Sequence, residues 1–411
     1  MSFTTEVHNF IRRVDTTPTQ VATQDSRLRR PRVLYVSPQD MIVPNGMNQL
    51  QHQLLSTLCS LYGDSLDLLS LGASPDVARR WLHQSGLQAT VLDGTYPFLA
   101  RVNTLLWYGG GAILCNKLRW VDRFYFPLRT PLPRKWMDRY DLIVCYYPWG
   151  HRLLRLDRIG DKVILDLGDV LADRHERIGT RRWISLAAED ERAILRSSRR
   201  CLAVSQADAY EFERLYGVRP EVIGFVPPES PELLQLASGN RPRRIGFIGA
   251  PSYGNEEVLR VLAHPDFLCR LLKAGIELVV AGGICNTVDK SVLQALNTGG
   301  AHVIGRVDSI ADYYRQISVT VNPVGPSTGV KIKSIETLVA GRSLITSRFG
   351  LDASLAQEFP DQVQFIDWPI PPAQLGDIAV DAVQNSLASN GAAATAYVEK
   401  WTQVLQELHT L

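Results

Sequence analysis

The sequence predicts an α/β protein built from two Rossmann-like domains that face each other across a cleft. Three observations point there. At 411 residues, with 45% hydrophobic and 21% charged, the chain is long enough for two ordinary cores. Short apolar strand patterns alternate with amphipathic helical ones in two series, separated by a Pro-rich stretch. In the second series the strands run into glycine: Arg244–Ile248 into Gly249, Leu278–Val280 into Gly282 and Gly283, and His302–Ile304 into Gly305. Right-handed crossovers wind such a series into a parallel sheet.

Composition narrows the function. The net charge of +2 provides no overall field for nucleic acid, and no nucleic-acid module is visible, so no such partner is expected. Cys59, Cys115, Cys145, Cys201, Cys269 and Cys285 show neither CxxC pairs nor metal-ligand spacing, which predicts free thiols in a reducing compartment and no metal site. The N-terminal MSFTTEVHNFIRRVD lacks the apolar core of a signal peptide, and no apolar run reaches the roughly 20 residues that span a bilayer. The expectation is a cytoplasmic protein, with a peripheral position on the inner face of the membrane left open.

In chain order, residues 1–30 form a polar lead-in with five arginines. Val33–Ser37 is the first strand, and Gly46 precedes a helical pattern through Leu50, Leu54, Leu55 and Leu58. Leu66–Leu71 is a second strand, Pro75–Ser85 a helix, and Val91–Leu92 a short third strand. Residues 101–160 hold eleven Lys or Arg against four Asp, interleaved with aromatics such as Trp107, Trp120, Trp136 and Trp149. This surface can rest on an anionic membrane or seat a lipid-linked acceptor; alternatively the aromatics are core and the arginines solvated.

Asp141–Tyr146 and Val163–Leu167 are buried strands. The second ends in an acid cluster, with Asp166, Asp169, Asp173, Arg174 and His175. Open α/β sheets place ligands beyond the carboxyl ends of their strands, and a desolvated carboxylate there can deprotonate a hydroxyl. In the alternative, Asp169 or Asp173 caps the next helix and Arg174 pairs with it. Trp183–Arg199 reads as a helix and Cys201–Val204 as a strand, after which Ser205 caps a helix with Asp208 three positions on and Gly217 closes it. Residues 226–242, rich in Pro and without periodicity, read as a linker. The terminal helix, Ala392–Leu411, carries Tyr397, Trp401, Val404 and Leu408 on one face, and packs on its own domain or crosses to the first.

The most informative stretch is Val319–Thr346: a buried strand, a loop rich in Gly and Pro, a helix starting near Gly329, and a second buried strand. Ile332, Ile335 and Val339 form the apolar stripe, while Gly329, Lys333 and Glu336 share an adjacent face. A helix entrance with a glycine attracts an anion such as phosphate. Lys331 and Lys333 add cations, and Glu336 can accept hydrogen bonds from the vicinal hydroxyls of a ribose. The alternative is two solvated lysines, with Glu336 paired to Lys333.

The run Gly329-Val330-Lys331-Ile332-Lys333-Ser334-Ile335-Glu336, followed by Ala340-Gly341-Arg342, resembles the donor-site signature of GT-B glycosyltransferases, in particular the group 1 (GT4-like) family. The resemblance covers 230–380 closely and 31–225 loosely. It implies an acceptor-binding domain over 31–225, a nucleotide-sugar-binding domain over 243–385, and a helix over 386–411. It also implies a donor site in which Gly249, Tyr253 and Asn255 border the phosphates, Gly305, Arg306 and Val307 meet the base, and Thr328, Gly329, Val330, Lys331, Lys333 and Glu336 grip the diphosphate and ribose. Two positions depart from the family. Thr328 stands where many retaining members carry a glutamate, and Gly168-Asp169 stands where a His-Asp pair is common. The implied site is either a retaining one without two usual contacts, or an inverting one using Asp169 as base, with Asp173 and Arg174 beside it.

The expected function is transfer of a sugar from a nucleotide-diphosphate sugar, with UDP or GDP, to a hydroxyl acceptor: a glycan, a lipid-linked saccharide or a small molecule. No GxGxxG follows a strand, so NAD is not expected, and no Asp-x-Asp is present to hold an essential metal. A sugar-nucleotide epimerase and a non-catalytic nucleotide-sugar-binding protein are the alternatives on the same scaffold.

Overall fold

The computed structural model describes residues 31–37, 46–71, 74–92, 132, 134–172, 186–239, 241–326, 329–386 and 391–410. Two parallel sheets organise them. The first contains β1 (Val33–Ser37), β2 (Leu66–Ser70), β3 (Thr90–Val91), β4 (Leu142–Tyr146), β5 (Val163–Asp166), β6 (Arg200–Ala203) and β7 (Glu221–Val222), in the order β3-β2-β1-β4-β5-β6-β7. The second contains β8 (Arg244–Ile248), β9 (Glu277–Ala281), β10 (His302–Gly305), β11 (Val319–Asn322), β12 (Ser343–Thr346) and β13 (Val363–Phe365), in the order β10-β9-β8-β11-β12-β13. The central strands are buried along their whole length because helices cover both faces, which is why they read as unbroken apolar runs.

In each sheet the strand order reverses beside its first strand. Val33 pairs with both Leu66 and Leu142 in the first sheet, and Ile245 pairs with Leu278 and Val319 in the second. A crevice opens at such a switch point, outside the carboxyl ends of the strands.

Three expectations need correction. The stretch 226–242 is not irregular: Ser230 and Pro231 start a two-turn helix, Ser230–Leu236, whose Leu233 and Leu236 are buried. A Pro in the first turn loses no helical hydrogen bond, so the prolines that suggest a linker also fit a helix start. The helix after β11 begins at Ile332 rather than near Gly329, because Gly329 adopts φ +72°, outside the helical region. Finally, the aromatics of 132–160 are not surface. Trp149 is buried and Trp136 packs against the first core, while Arg139 and Arg152 pair with Asp67 and Asp190. Residues 101–131 lie outside the described residues.

The terminal helix, Ala392–Gln406, joins both halves. Ala394, Tyr397 and Trp401 pack with the Ile332–Val339 helix, whereas Leu405 and Leu408 enter the core of the first sheet. The Tyr397 hydroxyl donates to the Phe225 carbonyl at 2.9 Å. The Trp401 indole sits against Gly224, where φ is +65° and an added Cβ would fall 2.1 Å from it. Gly224→Ala is therefore expected to cost about 2–3 kcal/mol, from left-handed strain plus overpacking. Denaturant unfolding reads this directly, and an unchanged midpoint contradicts the packing described.

Candidate donor-binding site

The site is assembled at the carboxyl ends of β8, β9, β10 and β11. After β8 the chain turns at Gly249 and enters the helix Tyr253–Leu262, capped by Ser252, whose hydroxyl accepts from the Asn255 amide. Asn255 folds back on its own loop, with Nδ2 donating to the Ala250 carbonyl at 2.7 Å. A Cβ on Gly249 would lie 3.0 Å from the Asn255 amide group, so the glycine is what allows the loop to close this tightly. Gly282, at φ +95°, packs directly on the Gly249 carbonyl.

Lys333, in the first turn of the Ile332–Val339 helix, points at this loop. Its Nζ donates to Asn255 Oδ1 at 2.7 Å and lies 4.3 Å from the centre of the Phe247 ring. The ion pair with Glu336, considered from the spacing, is replaced by this contact. Burial pushes the Lys333 ammonium down to about 7, with Lys331 adding to the effect and Glu336 opposing it. One turn on, Glu336 is 4% exposed, and burial pushes its carboxyl up to about 7. The Tyr314 hydroxyl donates to the Lys333 carbonyl at 2.9 Å and lies 3.4 Å from Glu336 Oε2. Glu229, another acid near Glu336, accepts from Ser309 Oγ and from the amides of Ile310 and Ala311, which caps the helix Ile310–Arg315.

The two lysines do not act as one pair. Lys331 precedes the helix, donates to the Gly329 carbonyl at 2.7 Å, and lines a cavity of about 270 Å³ between the two sheets. Asp208, Arg348, Asp352, Lys400 and Trp401 also line it. Burial pushes Asp208 up to about 7, an effect that Lys331 opposes. Asp352 Oδ2 accepts from the Ala207 amide at 3.0 Å, a bond from one half of the protein to the other.

The other expected residues are distributed as follows. Tyr253 is 71% exposed at the start of its helix; Gly305 closes β10 at φ +69°; Arg306 is exposed and Val307 half-buried. Val330 packs at the edge of the second core and lines the cavity. Thr328, Asp173, Arg174 and His175 lie outside the described residues. Asp166 is not at the cleft: it is buried beside Tyr35 and Tyr146, and burial pushes it up to about 7. Asp169 does face the second half. A Cβ placed on Gly329 would lie 3.1 Å from Asp169 Cβ and 3.5 Å from Oδ2, while Oδ1 accepts from the Tyr147 hydroxyl at 2.8 Å. Sequence reasoning missed Phe247, Tyr314, Glu229 and Tyr147. Phe247 and Tyr147 lie in apolar runs, Glu229 in a Pro-rich one and Tyr314 in a short charged helix, and nothing local distinguishes any of them from core, linker or surface. Among the described residues no group of three or more His, Cys, Asp or Glu could hold a metal ion, and no helix is long and apolar enough to cross a membrane.

Two facing parallel α/β sheets with a terminal helix crossing between them define the GT-B architecture. Solved structures share it over nearly the whole chain. HepE of Anabaena, in complex with UDP and glucose, is 14% identical with a TM-score of 0.58, covering 92% of this chain and 98% of that one. Sucrose-phosphate synthase of Thermosynechococcus elongatus is 14% identical with a TM-score of 0.58, covering 93% and 98%. WaaG, a glycosyltransferase involved in lipopolysaccharide biosynthesis, is 13% identical with a TM-score of 0.53, covering 92% and 95%. No curated protein sequence matches the chain. Residues 242–364, which contain the Gly249 loop, Lys333 and Glu336, match the family Glycosyl transferases group 1. The chain thus combines the GT-B fold with a segment that matches the group 1 glycosyl transferases.

Proposed function

We propose that this enzyme transfers a sugar from a UDP-sugar to an acceptor hydroxyl. The observation that carries the reading is Lys333: a largely buried ammonium, held by Asn255 over the Gly249 turn, with a ribose-sized step to Glu336. A diphosphate there meets a cation and the positive end of a helix in a desolvated setting, where both count for more than in water. Uridine is favoured as the base because HepE, which has the same fold, was crystallised with UDP. Glu336 accepts from the ribose hydroxyls, and the backbone around Gly305 to Val307 meets the base.

In the transfer, the acceptor oxygen bonds to the anomeric carbon, the bond to the UDP oxygen breaks, and Lys333 stabilises the charge that develops on the departing diphosphate. Asp169, opposite Gly329, takes the acceptor proton, a geometry that inverts the anomeric centre. The charge stabilisation is supplied by Lys333 and the helix, so turnover does not require a divalent ion.

The test is thermal unfolding across UDP, GDP, dTDP and CMP, followed by turnover of the matching sugar nucleotides with and without EDTA. A ligand of the native state at 100 times its Kd adds about 2.7 kcal/mol of stability. UDP is expected to raise the melting temperature by several degrees and the others by less. No shift with any nucleotide contradicts the donor assignment, and turnover abolished by EDTA contradicts the metal-free chemistry.

A further inference from the structure

The segment 146–149 has a construction that ordinary packing does not require. Tyr147 opens the helix Tyr147–Leu154 with φ +63°, a left-handed backbone that a bulky side chain rarely adopts and that persists only where its surroundings enforce it. Its ring is stacked on Trp149, 5.0 Å between centroids and 8° between planes, and meets Tyr146 edge-on at 4.8 Å. Opposite it stands Gly168, at φ +63°. A Cβ there would fall 2.4 Å from the Tyr147 ring and 2.5 Å from its hydroxyl, so only glycine admits the tyrosine. The hydroxyl so placed donates to Asp169 Oδ1 at 2.8 Å. Asp169 in turn abuts Gly329, the glycine that leads into the donor helix.

The geometry points to Tyr147 as the positioning residue for Asp169, with Gly168 as the space that admits it. The inference rests on Asp169 acting as base. Tyr147 is 1% exposed and does not reach the substrate itself. Its hydroxyl fixes Oδ1 and orients the carboxylate so that Oδ2 lies toward Gly329. Held in one orientation, the carboxylate is preorganised for the proton transfer.

The experiment compares Tyr147→Phe with wild type, because phenylalanine keeps the ring stack and removes only the hydroxyl. With UDP-glucose as donor and water as acceptor, kcat is expected to fall at least 10-fold, while KM for UDP-glucose and UDP affinity stay within about 2-fold. Unchanged kcat overturns the inference, as does a loss that falls on KM instead of kcat. A readout independent of any donor is the 13C carboxyl resonance of Asp169 in the unliganded protein. Its chemical shift at neutral pH is expected to move in Tyr147→Phe, which removes the hydrogen bond to Oδ1, and coincident resonances overturn the positioning role. A wild type that fails to bind UDP instead refutes the donor assignment, and the carboxyl resonance still decides for or against Tyr147.

Discussion

Asp169→Asn is expected to lower kcat by about 10³-fold while leaving UDP affinity within about 3-fold. General-base catalysis by a positioned carboxylate contributes roughly 10²–10⁴-fold, and the amide keeps the size and the Tyr147 contact but cannot take a proton. Asp169 belongs to the first half, whereas the residues proposed for UDP belong to the second, so the two effects separate cleanly. Steady-state turnover of UDP-glucose together with UDP titration makes the comparison. A variant that keeps wild-type kcat removes Asp169 from the reaction, and a product that retains the donor's anomeric configuration argues against its acting as base.

Lys333→Ala is the second large effect: UDP affinity is expected to fall about 100-fold, equivalent to about 2.7 kcal/mol, the scale of a desolvated charge-assisted contact. Lys333→Met, which keeps the stem over Phe247, should lose nearly as much and so separate charge from packing. The pH dependence follows from the same residue. With its pKa lowered to about 7, unliganded Lys333 is charged below that pH and neutral above it. A bound diphosphate raises the pKa again, so binding takes up a proton and affinity weakens as pH rises above 7. Glu336 acts in the opposite sense. Its carboxyl is raised to about 7, and ribose hydroxyls donate best to the ionised form, so affinity also weakens as pH falls below 7. UDP affinity measured by calorimetry is thus expected to peak near neutrality. Lys333→Ala should remove the alkaline limb and Glu336→Gln the acidic one; a flat profile in wild type contradicts both assignments.

The fold was legible because its strands are buried on both faces and its helices on one. Val319–Asn322 and Val163–Asp166 are apolar for that reason, and β8 and β10 announce their turns by glycine. β7 and β13 went unread because two or three edge residues carry no period. The donor helix was legible through Ile332, Ile335 and Val339, all buried, and through the order of Lys333 and Glu336 along one turn. The direction of a lysine is not written in its spacing. Lys331 and Lys333 are two apart, yet one turns to the cavity beside Asp208 and the other to Asn255, because partners 123 and 78 positions away in the chain, from different sheets, decide it. Tyr147 was equally hidden: its role depends on Gly168, 21 residues on and one strand over.

The most direct test of the central claim is a crystal structure of the protein grown with UDP. The β-phosphate is expected within about 3 Å of Lys333 Nζ, at the entrance of the Ile332–Val339 helix, with a ribose hydroxyl on Glu336. UDP seated elsewhere, for example in the cavity between Lys331 and Asp208 with the Lys333–Asn255 contact undisturbed, would contradict the account.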